Sequence, residues 1–310
     1  MSREIKFFLI TFFISLPFWY GVNLAQGNLE KFFYAQISEP LEEINLVQIP
    51  QNSQKPNLDL EAKSALSLKI NKSDREKILF KKDTQNILPI ASLTKLMTAL
   101  IIMEDSENYD FKKEIIISKE AANQENVPEG GNLNMGEKIS IEKLLGLMLI
   151  HSSNDAAFAL SEVIGVGNFV EKMNQKAESL ELKNTHFLNP TGLDPENLHY
   201  SPETFDYFNY STAEDLSRLA KYILNEFPLI YEISVSPPYY QVKNGFSNLS
   251  LRENTNLIGG KTGYTDEAGG CMILVLERNE NYFINIILGT ESASARLTEM
   301  QKLIDWIFSV

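Results

Sequence analysis

Apolar and polar positions alternate with two different periods along the chain, and the switches between those periods outline its elements. Leu66, Leu68 and Ile70 alternate with polar residues, a polar turn runs from Asn71 to Glu76, and Lys77, Ile78, Leu79 and Phe80 follow, which predicts a β-hairpin. Pro89 is expected to close this strand region, because its ring fixes φ and supplies no N–H to a ladder. From Ser92 onward, Leu93, Leu96, Met97, Leu100 and Ile101 recur at helical spacing, so Ser92 should stand at a helix N-terminus. Helical periods return from Ser140 to Ile150, from Asp155 to Ile164, from Asn168 to Leu180 and from Thr212 to Leu224. Late in the chain, Cys271 to Glu277 and Tyr282 to Leu288 flank a turn of Arg, Asn and Glu, a second predicted hairpin, and an amphipathic helix is expected from Ala295 to Ile307. Strands at both ends and helices between them predict an α+β fold, an antiparallel sheet covered by helices, with no internal repeat.

The first sixty residues read differently. Arg3 and Lys6 precede an apolar run from Phe7 to about Ala25, the pattern of an export signal. Asn23 stands where a cleavage site needs a small residue, which favours retention as a membrane anchor over cleavage. Pro40, Pro50 and Pro56 then recur among Gln, Asn, Ser and Glu without periodicity, as in a linker. The expected organisation is therefore a signal or anchor over 1–25, a linker over 26–59 and one folded domain over 60–310, placed outside the cytoplasm.

Composition removes several function classes. The chain has 310 residues, 44% of them hydrophobic, enough to bury a core. Its net charge of −13 opposes a general grip on nucleic acid, which requires a positive surface field. One cysteine, Cys271, excludes an internal disulfide, and with only 3 histidines no spacing resembles a zinc site, so no metal or cofactor is expected.

What remains is serine chemistry. In Ser92-Leu93-Thr94-Lys95, residues three apart on a helix share a face, so the Lys95 ammonium can reach the Ser92 hydroxyl. A serine hydroxyl becomes a useful nucleophile when a base takes its proton, and a lysine with a lowered pKa can be that base. By itself the tetrad is weak: Ser140-Ile141-Glu142-Lys143 fits it too, where Ser140 reads better as a helix cap, and Ser92 could be one as well. Ser152-Ser153-Asn154 lies at a break between helices and is matched by the decoy Ser106-Glu107-Asn108, so it could be ordinary capping. Lys261-Thr262-Gly263, after Gly259 and Gly260, could be an exposed strand end. Their order and separation carry more weight, because the three together are the set used by serine β-lactamases and penicillin-binding proteins.

Longer segments sharpen the likeness. Ala91 to Leu100, Ser153 to Ala157, Asn189-Pro190-Thr191-Gly192-Leu193-Asp194, Ser211 to Leu216 and Gly260 to Thr265 resemble, in order, the low-molecular-mass penicillin-binding proteins that act as D-alanyl-D-alanine carboxypeptidases, peptidase family S11. The resemblance covers about residue 62 to the end. It implies the penicillin-recognising serine transferase fold, an antiparallel sheet with helices on both faces and a helical subdomain. It implies that the penultimate D-alanine carbonyl acylates Ser92, that Lys95 is the base, and that Ser152 passes a proton to the leaving amine. By the same likeness Asn154 holds the substrate amide, Lys261 and Thr262 bind its carboxylate, and Gly263 lets an extended peptide lie along the strand. The backbone N–H groups of Ser92 and Tyr264 would form the oxyanion hole. The implied partners are peptidoglycan stem peptides, β-lactams as covalent inhibitors and the membrane.

The chain departs from the family pattern at three places. Ser153 stands where the family has glycine or another small residue, and is expected to be tolerated. Pro195 to Tyr210 is acidic, aromatic and long, either a surface loop or a lid. Many relatives continue past the position of Asp305-Trp306 into a β-rich stalk and a C-terminal anchor, and here the N-terminal segment and linker are expected to replace both. Rival readings are a DD-endopeptidase with the same apparatus, a β-lactamase, for which the Glu-x-x-Leu-Asn segment is missing, and a non-enzymatic wall-binding protein, which would have lost a catalytic side chain.

Overall fold

The structure is a computed structural model that describes residues 57–124, 131–194, 208–236 and 246–309, all within the compact unit Pro56–Val310. The expected anchor and linker, and most of the Pro195 to Tyr210 stretch, lie outside the described residues. Among the described residues, no helix is long and apolar enough to cross a membrane.

The centre of the domain is a five-stranded sheet in the order β2-β1-β9-β8-β7, with every neighbouring pair antiparallel. Strand β1 is Ser64–Ile70 and β2 is Glu76–Lys82, as the alternation predicted. Their turn is held by Asn71, whose Oδ1 accepts from Ser73 N at 2.9 Å and Arg75 N at 3.0 Å. Strands β8, Gly269–Arg278, and β9, Asn281–Thr290, form the second predicted hairpin, closed through Asn279 and Glu280 at φ 50° and 60°. Left-handed conformation at both central residues matches the right-handed strand twist. Strand β7, Thr255–Thr265, forms the sheet edge and carries Lys261-Thr262-Gly263 within its span, so that motif is no loose strand end.

Both faces of the sheet are covered, which explains why β8 reads as a continuous apolar run. Ile273 and Val275 face a core shared with the helical middle, whereas Met272, Leu274 and Leu276 face Met300, Leu303 and Ile304. The latter three lie on the closing helix, Ala295–Ile307, where the periodicity placed it.

The helical layer begins at Ala91–Leu93, one 3₁₀ turn, and continues as α1, Thr94–Glu104. It goes on with α2, Ile141–Ile150, α3, Asn154–Glu162, α4, Val166–Ser179, and α5, Ala213–Glu226. Ser140 caps α2 by accepting from Lys143 N at 3.3 Å, and Thr212 caps α5 by accepting from Asp215 N at 3.0 Å. Such a cap contributes about 1 kcal/mol.

Some short elements were not legible. Leu88–Pro89 (β3) pairs with Tyr210–Ser211 (β6), so the strand region does close at Pro89, in a two-residue ladder to a partner distant in sequence. The three-residue ladder of Glu114–Ile116 (β4) with Lys138–Ser140 (β5), and helix α6, Leu229–Ser234, are too short to show a period. With α6 counted, the closing helix is α7.

Candidate active site

Three elements meet at the helical side of β7: the turn before α1, the break between α2 and α3, and β7 itself. Ser92 lies within the 3₁₀ turn. The residue that caps α1 is Leu93, with no side-chain cap bond, so Ser92 is not spent as a helix cap. Its hydroxyl accepts from Lys95 Nζ at 2.9 Å. Ala91 just before it has φ 47°, a left-handed conformation that costs a non-glycine residue roughly 1–3 kcal/mol and persists only where packing enforces it.

Lys95 is fully buried, with 0% of its surface exposed. A buried ammonium must be surrounded by acceptors, and three are present: besides Ser92 Oγ, Nζ donates to Asn154 Oδ1 at 2.7 Å and to Thr191 O at 2.6 Å. The first and second motifs are thus joined by one hydrogen bond. Asn154 opens α3, and Ser153 caps that helix, accepting from Ala156 N at 3.1 Å while its hydroxyl donates to Gly131 O. The extra atoms of Ser153 are therefore used in bonding, not merely accommodated. Ser152 sits between the two helices at φ 61° and is half-buried.

Lys261 is 2% exposed and donates to Ser152 Oγ and to Thr262 O, each at 2.9 Å. Burial, together with the nearby positive charge of Arg296, holds its pKa down to about 7 from a usual 10.5. Residues two apart share a strand face, so Gly263 points the same way as Lys261. A Cβ at this position would lie 3.0 Å from Ser92 N and 3.1 Å from Ile90 O, so the missing side chain is what lets β7 close on the Ser92 turn. Gly263, the residue before Tyr264, is thereby seated beside Ser92 N.

The side chains of Thr262 and Tyr264 fall on the other strand face and do not join the network. Thr262 is half-buried, and Tyr264 is exposed with its hydroxyl donating to Asp266 Oδ1 at 3.3 Å.

Sequence reasoning assigned no role to Thr191 or Arg296. Thr191 acts through its carbonyl, which any residue type could supply; only the turn-rich Asn-Pro-Thr-Gly pattern hinted at a special backbone. Arg296 lies on α7 and donates through Nη1 to Gly263 O at 2.7 Å. Nothing in the helical period of α7 singled it out.

The chain is 33% identical over 263 residues to the D-alanyl-D-alanine carboxypeptidase DacF of Bacillus subtilis, an alignment covering 80% of this chain and 62% of that protein. It is 32% identical over 244 residues to a D-alanyl-D-alanine endopeptidase of Pseudomonas aeruginosa, covering 74% and 73% respectively. Among solved structures, a peptidoglycan synthesis regulatory factor of Streptococcus pneumoniae matches with a TM-score of 0.71 at 27% identity, covering 81% of this chain and 77% of that one. Penicillin-binding protein D2 of Listeria monocytogenes, in its cefotaxime-bound form, matches with a TM-score of 0.67 at 27% identity, covering 82% and 99%. With residues 50–292 matching its family model, the chain belongs to peptidase family S11, the D-alanyl-D-alanine carboxypeptidases.

Proposed function

We propose that this chain is a serine-type D-Ala-D-Ala carboxypeptidase that removes the terminal D-alanine from peptidoglycan stem peptides. The observation that carries this reading is the buried Lys95 Nζ, 2.9 Å from Ser92 Oγ. A deprotonated lysine there takes the hydroxyl proton as Ser92 Oγ attacks the carbonyl carbon of the penultimate D-alanine. The developing oxyanion is met by the N–H groups of Ser92 and Tyr264, which are fixed before the substrate arrives. Collapse of the tetrahedral intermediate breaks the peptide bond, and the departing amine takes a proton delivered through Ser152. Water then hydrolyses the acyl ester and regenerates Ser92. Lys261, charged when a substrate carboxylate arrives, anchors that carboxylate.

β-Lactams would acylate Ser92 by the same attack, a reading supported by the cefotaxime-bound relative. The N-terminal apolar segment would hold the domain outside the cytoplasm, at the membrane, where the polymer is. Mass spectrometry of products from defined muropeptides tests the substrate. Loss of one terminal D-alanine from pentapeptide stems supports the carboxypeptidase. Preferential cleavage of cross-linked dimers would instead make the chain an endopeptidase, as its Pseudomonas aeruginosa relative is named.

A further inference from the structure

Lys95 can act on Ser92 only if its ammonium or amine is held in one place, and two of the groups holding it belong to other parts of the chain. One of these, Thr191 O, is presented by a turn built around Asn189. Asn189 Oδ1 accepts from Thr191 N at 3.1 Å, Thr191 Oγ1 at 2.9 Å and Gly192 N at 2.7 Å. Gly192, at φ 85°, presses the turn onto the Ser92 segment so closely that a Cβ would lie 2.0 Å from Ala91 O.

Two buried side chains tie this turn to the Ser92 segment: Thr98 on α1, whose Oγ1 donates to Pro190 O at 2.7 Å, and Asn209, 2% exposed. Its Oδ1 accepts from Leu188 N at 2.7 Å and Asn189 N at 3.3 Å. Its Nδ2 donates to Asn189 O at 2.8 Å and to Thr94 Oγ1 at 3.0 Å. Its main-chain carbonyl accepts from Ile90 N at 3.1 Å. With both lone pairs and both hydrogens of its amide in use, Asn209 therefore ties the turn that carries Thr191 O to Thr94 through its side chain and to Ile90 through its carbonyl, on either side of Ala91-Ser92-Leu93.

We propose that Asn209 is a positioning residue for acylation, setting the placement of Lys95 against Ser92 through the Asn189–Leu193 turn and Thr94. The inference rests on the reading of Ser92 and Lys95 as nucleophile and base. The side-chain bonds of Asn209 run to Leu188, Asn189 and Thr94. An aspartate at this position keeps the acceptor for Leu188 N and Asn189 N but loses the donor, and turns an oxygen toward Asn189 O.

The test uses the full chain and a fluorescent penicillin, with stopped-flow labelling of wild type, Asn209→Asp, Asn209→Ala and Ser92→Ala. Three quantities are separated: the fraction of protein that labels, the dissociation constant before acylation, and the acylation rate constant. For Asn209→Asp we expect the rate constant to fall about tenfold to a hundredfold, the loss typical of an ångström-scale misplacement, while the dissociation constant and the labelled fraction stay within about twofold. A fall in the labelled fraction at unchanged rate constant would mean that Asn209 only supports folding, and would overturn the proposal; so would an unchanged rate constant in both variants. Labelling that persists in Ser92→Ala would sink the nucleophile reading instead. In that case the NMR signal of ¹³Cε-labelled Lys95 decides separately: the proposal requires it to move in folded Asn209→Asp, and an unmoved signal overturns it.

Discussion

Lys261 Nζ donates to Ser152 Oγ at 2.9 Å, joining residues 109 positions apart across the gap between β7 and the helical layer. The contact puts the proposed carboxylate anchor and the proposed proton carrier of the leaving amine in one hydrogen-bonded pair. Because Lys261 is buried, its charge is conditional in a way that a surface lysine's is not.

That conditional charge predicts a pH signature. With a pKa near 7, Lys261 of the free enzyme loses its proton as pH rises through neutrality. kcat/KM for a peptide ending in a free D-Ala carboxylate should therefore decline above about pH 7 more steeply than for the same peptide amidated. Lys261→Ala should shrink the difference between the two peptides, since a charge-assisted hydrogen bond of about 1.5–3 kcal/mol is lost for one and not the other. Parallel profiles for both peptides would show that Lys261 does not read the carboxylate.

The same lysine predicts a trend in stability. Its folded pKa, about 7, is below the unfolded value of 10.5, so between these limits the unfolded chain binds more protons. The Lys261 contribution to unfolding free energy must then rise with pH across that window, being least favourable at its acid end. Chemical denaturation at several pH values, comparing wild type with Lys261→Met, isolates the effect: the gap in favour of Met should narrow from pH 7 to pH 10. A constant gap would contradict the lowered pKa.

A fluorescent penicillin should label the protein through Ser92. Ser92→Ala should abolish labelling and leave the fold intact, since Ser92 makes no cap bond to α1. Ser140→Ala should cost about 1 kcal/mol in stability, the ordinary value of a cap, and leave labelling unchanged. Retained label on folded Ser92→Ala would require another nucleophile.

Lys95→Arg should be nearly as damaging to acylation as Lys95→Ala, because a guanidinium keeps its proton at any useful pH. It must also fit a larger head among Ser92, Asn154 and Thr191. Acylation within a few-fold of wild type in the arginine variant would reduce Lys95 to a structural cation.

Gly192→Ala should destabilise the protein by more than about 1 kcal/mol, combining a left-handed φ with a backbone collision against Ala91 O. Because Ala91 precedes Ser92, acylation should fall as well. An unchanged urea midpoint would mean that the turn relaxes without consequence.

Much of this molecule was written locally. The two hairpins, the long helices and the α+β class follow from periods of two and of 3.6 residues, which depend only on near neighbours in the chain. The Ser92, Ser152 and Lys261 motifs were recognisable by their order, and local rules likewise marked Ser140 as a cap. Tertiary structure decided what each of these groups does. Whether Ser92 was a cap or free to react turned on where α1 begins, and whether Lys261 lay at an exposed strand end turned on the length of β7. The role of Gly263 followed from what stands against it, Ser92 N, which belongs to a residue 171 positions earlier in the chain. Asn209 and Arg296 carried no readable signal, and Thr191 only that of the turn around it, because an amide, a guanidinium and a carbonyl become parts of a site only through partners distant in sequence. Those partners are chosen by packing, which satisfies buried polar groups wherever the folded chain brings them together.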